Sequence, residues 1–162
     1  MPLRHVLKGR DTAGGIYGTV VATSVVVGLS KNPQLTPGQA LLILTVTTTV
    51  FMLAKVYALS LSERATLGTL SSWGRAAELV RYEWPMLRAA APAALAIVLW
   101  WAGACGRSTG LWLAVGLGVA ELALLGIVYG LNEGLGSWRA LRMGALDASL
   151  GLALVAVKAL VG

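Results

Sequence analysis

The stretch Leu111–Leu131, LWLAVGLGVAELALLGIVYGL, limits what this chain can fold into more than any other. It is about one bilayer thickness of apolar residues, with a single acid, Glu121, near its middle. A helix rises roughly 1.5 Å per residue, so Glu121 lies on the order of 15 Å from either end. Neither membrane surface is within reach of so short a side chain. An ionised carboxylate there, without a partner, costs several kcal/mol. Glu121 is therefore protonated, paired with a cation, or facing a wet cavity.

The other apolar residues also fall in long blocks, not in a 3.6-residue stripe. Hydrophobic residues make up 57% of the 162 and charged ones 12%, half the share of an ordinary soluble domain. The pattern predicts an all-α, polytopic membrane protein in one domain: a five-transmembrane-helix bundle with spans at about 13–30, 38–61, 86–105, 111–131 and 142–161. An amphipathic helix over about 70–84 lies in the interface between the second and third spans. There Leu70, Trp73, Ala77, Val80 and Trp84 recur at helical spacing, and Arg75, Glu78 and Arg81 form a solvated face.

Local signals support these boundaries. Thr36-Pro37-Gly38-Gln39 reads as a capping box with proline at the first helical position. Pro85 opens the third span, and Pro92 kinks it or frees a carbonyl. Gly14, Gly18 and Ala22 recur every fourth residue in the first span, with Gly15, Thr19 and Thr23 beside them. Gly126, Gly130 and Gly134 do the same in the fourth. Such small residues let another helix backbone approach closely, within the chain or in a homodimer. The rival reading of the first block, a cleaved signal peptide, gives no use for that spacing.

The net charge of +6 follows the apolar blocks, which assigns it to lipid and topology and leaves no basis for a nucleic-acid partner. With the N-terminus inside, nine cations (Arg4, Lys8, Arg10, Arg64, Arg75, Arg81, Arg88, Arg139, Arg142) face the cytoplasm and three (Lys31, Arg107, Lys158) face outward. The expectation is a multi-pass protein of the inner (plasma) membrane, N-terminus cytoplasmic and C-terminus outside.

Lys55 is the cation left within a span. It shares a helix face with Thr48 and Met52, and its long stem can snorkel to the nearby surface or close an internal pair. On this topology Lys55 and Asp147 lie at similar depth, with Glu121 about one turn deeper. Two acids and one base have the composition of a proton or small-cation pathway, and equally of a structural ion pair plus one protonated carboxyl. Tyr57 and Asn132 are placed with them. The leading expectation is proton or cation transport along Glu121, Asp147 and Lys55. The alternative is a non-transporting scaffold or accessory subunit whose buried charges hold helices together. Enzymatic function is not expected: no nucleophile motif, phosphate loop or metal-ligand spacing occurs, the one Cys (Cys105) and one His (His5) stand apart, and no cofactor is called for.

The run Arg10-Asp11-Thr12-Ala13-Gly14-Gly15-Ile16-Tyr17-Gly18-Thr19, with Lys55-Val56-Tyr57 and Tyr82-Glu83-Trp84-Pro85, resembles small integral membrane proteins of high-GC actinobacteria, a family without an assigned activity. A weaker resemblance is to the vacuolar-iron-transporter-like family of five spans. There the first helix opens on an Asp followed by small residues, as Asp11 with Gly14-Gly15 does here, and the second carries Met, Glu and Tyr. Met52 and Tyr57 have the matching separation, and Val56 stands where the Glu would be. That resemblance implies the fold, dimerisation through the first helix, and Asp11 and Met52 as metal-facing positions. The family's acidic cytoplasmic helices have no counterpart in 62–84.

Overall fold

The computed structural model describes the backbone of residues 3–67 and 73–161, and the side chains of residues 14–63, 77–153, 155 and 156. Among the described residues the chain is helical throughout, with no strand: α1 (Leu3–Leu29), α2 (Pro37–Leu67), α3 (Trp73–Tyr82), α4 (Trp84–Arg88), α5 (Ala91–Trp101), α6 (Arg107–Asn132) and α7 (Ser137–Val161). Three stretches are long and apolar enough to cross a membrane: Pro37–Glu63, Trp84–Trp101 and Arg107–Asn132. Gly14–Leu29 is a shorter apolar helix.

Large apolar side chains cover the outside of these helices. Leu42 is 63% exposed and Leu146 68%, and Val46, Val50, Phe51, Leu53, Leu95, Leu124 and Leu150 are exposed as well. Contiguous apolar surface of this extent is a liability in water and the natural surface in acyl chains. Together with the three long apolar stretches it marks a membrane protein.

The helix ends form as the sequence dictates. The Thr36 N–H donates to Gln39 Oε1 at 3.0 Å and the Gln39 N–H to Thr36 Oγ1 at 3.3 Å, the reciprocal pair of a capping box. Gly134, at φ +72°, stops α6, and the Leu135 N–H turns back to the Gly130 carbonyl at 3.0 Å. The third expected span is broken in two. The chain turns at Ala89-Ala90 between α4 and α5, just before Pro92, which has no N–H to give the Arg88 carbonyl.

Helix α1 is packed on two sides through its small residues. On one side Gly14 faces Glu83 and Pro85, and Gly18 lies directly against Met86 and Ala89, so α1 runs parallel to α4. On the other side Gly15 meets Leu125 and Thr23 meets Gly118, so α1 and α6 are antiparallel. Helix α6 turns a second face to α7, again antiparallel: Gly126 lies against Gly144, and Gly130 against Ala140 and Met143. The spaced residues Gly14 and Gly18, and Gly126 and Gly130, are thus used within the chain, whereas Gly134, the third of its row, packs against nothing and serves the turn after α6. The main core joins α1, α2, α5 and α6 through Ala22, Val26, Leu44, Ile97, Ala114 and Val115.

Arg107, at the first residue of α6, ties that helix to the end of α1. Its guanidinium donates to the carbonyls of Asn32 (2.6 Å), Ser30 (3.3 Å) and Leu29 (3.4 Å). A cation there satisfies carbonyls that the α1 C-terminus leaves open. The sequence gives no sign of this role beyond a charge at a turn.

The amphipathic helix is present as α3, shorter than expected and turned differently. Among its described side chains Leu79 is buried, Val80 is half-buried, and Ala77 is exposed with Glu78 and Arg81. The face is set by α3 leaning on α2 and α4 rather than by the aromatic spacing. Leu70 and the side chain of Trp73 lie outside the described residues.

A methyl group added at Gly18 has no room: its Cβ would lie 2.9 Å from the Met86 Cα and would strike the Met86 carbonyl oxygen. Gly116, in mid α6, has nothing within 4 Å. Gly18→Ala is expected to destabilise by about 1–3 kcal/mol, and Gly116→Ala to be neutral or stabilising. Thermal unfolding in detergent, followed by circular dichroism, separates the two. An equal response would contradict the α1–α4 contact.

Candidate functional site

Helix α2 has an inward stripe every fourth residue: Thr48, Met52, Val56 and Ser60 are all buried. Met52 packs with Val21 of α1 and Met86 of α4. Lys55 sits on the edge of this stripe, one turn beyond Met52, and Glu83 lies three residues before Met86. The Met52–Met86 contact therefore brings the two charges to one level. Lys55 Nζ lies 2.7 Å from Glu83 Oε2.

The surroundings make this pair costly to break. Glu83 is 2% exposed, held at the one-residue turn between α3 and α4. Its N–H donates to the Leu79 carbonyl at 2.9 Å and its carbonyl accepts from the Met86 N–H at 3.0 Å. Gly14 of α1 packs beside the carboxylate: a Cβ there would sit in ordinary contact, 3.7 Å from Oε2. The Lys55 ammonium also stands 5.5 Å from the centroid of the Tyr17 ring, within range of a cation–π attraction. Side chains from α1, α2 and the α3–α4 turn thus meet at one ion pair.

The sequence grouped Lys55 with Glu121 and Asp147, and the structure separates them. Glu121 is half-buried on the face of α6 that meets α1. Its hydrogen-bonding neighbour is the Thr19 hydroxyl, which lies 3.0 Å from the Gly15 carbonyl as well. The other carboxylate oxygen, Oε2, is buried and has no hydrogen-bond partner among the described residues. Asp147 lies on the opposite flank of α6, its carboxylate resting on the bare backbone of Gly126. Residues 121 and 126 are about 140° apart around a helix, so the two acids occupy different interfaces.

The remaining expected residues are also dispersed. Tyr57 is 64% exposed on the outside of α2, and Asn132 is exposed at the last residue of α6. Met52 is a core side chain, the side chain of Asp11 lies outside the described residues, and no group of three metal-ligating side chains occurs among the described residues. Gly14, Gly18, Ala22, Gly126 and Gly130 all sit at close helix contacts or in the core.

Glu83 is not among the residues the sequence singles out, since it falls at the end of the stretch expected to lie in the interface. A signal was present. An acid between Tyr82 and Trp84, one residue before the proline that opens a span, stands at the depth of a cation on the preceding span.

Comparison with protein-family models, with curated proteins and with solved structures finds no match to this chain. The site is therefore read from its own chemistry.

Removing one partner of the Lys55–Glu83 pair leaves the other charge unpaired. Lys55→Met and Glu83→Gln are each expected to cost roughly 2–4 kcal/mol, towards the low end where Lys55 keeps some contact with solvent. The double variant is expected to recover part of that loss, with a coupling of about 1 kcal/mol or more. Additive losses in a thermal-unfolding cycle would show that the two side chains do not interact.

Proposed function

We propose that this chain is a non-transporting scaffold or accessory subunit of the membrane, with five spans: α1, α2, α4–α5, α6 and α7. The N-terminus is cytoplasmic and the C-terminus outside. The observation that carries this reading is the dispersal of the charges. Among the described residues Lys55 of α2 is paired with Glu83, and Glu121 and Asp147 lie in separate helix interfaces.

The helix directions support the spans. Helix α1 is parallel to α4 and antiparallel to α6, and α6 is antiparallel to α7. Five alternating crossings produce this pattern, and the excess of cations then falls on the side of the N-terminus. A homodimer in this scheme has to use a surface other than the Gly14–Gly18 row, which α4 covers.

A specific observation favours a second reading, proton or cation passage at Glu121. Its Oε2 is the one carboxylate oxygen that is buried and without a hydrogen-bond partner among the described residues, where an added proton or a transient cation would be stabilised.

Purified protein in liposomes, under an imposed potential and proton gradient with a pH-sensitive dye inside, distinguishes the two. The scaffold reading expects no flux above that of protein-free liposomes. Flux that is present in the wild type and lost in Glu121→Gln would overturn it in favour of the second.

A further inference from the structure

A groove of about 340 Å³ lies between α2 and the α4–α5 stretch, lined by Leu44, Thr45, Thr48 and Thr49 on one wall and by Leu87, Ala90, Ala91 and Ala94 on the other. Trp84 and Arg88 stand at one end. We propose that this groove binds one anionic phospholipid of the cytoplasmic leaflet, its phosphate on Arg88 and an acyl chain along the groove. The inference rests on the five-span reading for its leaflet and goes beyond the scaffold role.

The volume is within the range of sites that hold a small molecule, about 300–1,000 Å³. The small side chains of Ala90, Ala91 and Ala94 on the α4–α5 side leave this space beside α2. The threonine wall is apolar in effect. The Thr48 and Thr49 hydroxyls donate to the carbonyls of Leu44 and Thr45, each at 2.7 Å, leaving their methyl groups to the groove.

The charge at the end of the groove is unspent. Arg88 is exposed, and among the described residues it has no ion pair or hydrogen-bond partner. It lies five residues after Glu83, on the membrane-core side of the ion pair. From there a side chain of this length can reach back toward the headgroup level, and the exposed Trp84, four residues earlier, lines the same groove. A planar, permanently charged fork at that depth fits a phosphate, and basic pockets between spans on the cytoplasmic side are suited to anionic headgroups.

Native mass spectrometry of the protein released from vesicles of equal phosphatidylglycerol and phosphatidylcholine tests this. The wild type is expected to retain one phosphatidylglycerol in preference to phosphatidylcholine. Arg88→Gln is expected to weaken that preference about five-fold, the scale of one cation near an anionic surface. Ala94→Phe, which fills the groove and keeps the charge, is expected to reduce retention of either lipid. Arg139→Gln, an exposed cation on α7, is expected to change nothing. No preference in the wild type, an undiminished preference in Arg88→Gln, or equal loss in Arg139→Gln would each overturn the proposal. If Arg88→Gln fails to fold, Ala94→Phe decides, and unchanged retention there contradicts the site. Extraction of the wild type from membranes by alkaline carbonate would instead contradict the spanning reading itself.

Discussion

A carboxylate enclosed among apolar helices needs a cation, and the pairing of Glu83 with Lys55 is the interaction on which the arrangement of the first half of the chain depends. In a low-dielectric interior, neither charge is tolerable alone and the attraction between them is strong. The pair fixes the rotation of α2, because Lys55 has to face inward. It also fixes the depth of the α3–α4 turn, because Glu83 has to reach Lys55. The same register is shared by the cluster of Met52, Met86 and Val21, which joins α2, α4 and α1.

Close packing of α1 then does what the hydrophobic effect cannot. Among acyl chains, burying a leucine brings little net gain, and contact between helices rests on van der Waals fit and on polar bonds. Gly18 lets α1 touch the backbone of α4, and Gly118 lets α6 meet Thr23 of α1. Arg107 closes the far end of this contact by satisfying the carbonyls after α1. The same device recurs between α6 and α7, where Gly126 and Gly130 admit the partner backbone. A chain with one phenylalanine and twenty glycines builds its contacts from small residues instead of large ones.

Much of this was legible from sequence. The helix starts at Thr36 and the proline-induced break before Ala91 follow from local chemistry, which needs no tertiary information. That Thr48, Met52 and Lys55 share one face follows from helical spacing alone. The partner of Lys55 does not follow, because helical spacing within α2 does not show which residue of the α3–α4 turn comes to its level. Glu121 and Asp147 were grouped by depth, but depth does not give rotation. Only the contacts of α6 with α1 on one side and with α7 on the other show that the two acids face apart.

The direct measurement is the distance between the Lys55 ammonium nitrogen and the Glu83 carboxylate carbon, by dipolar recoupling in solid-state NMR of the labelled protein in bilayers. The account predicts a strong contact that disappears in Glu83→Gln and persists in Glu121→Gln. A Lys55 contact that instead disappears in Glu121→Gln, or in an Asp147→Asn variant, would contradict it and restore the grouping of the three charges into one pathway.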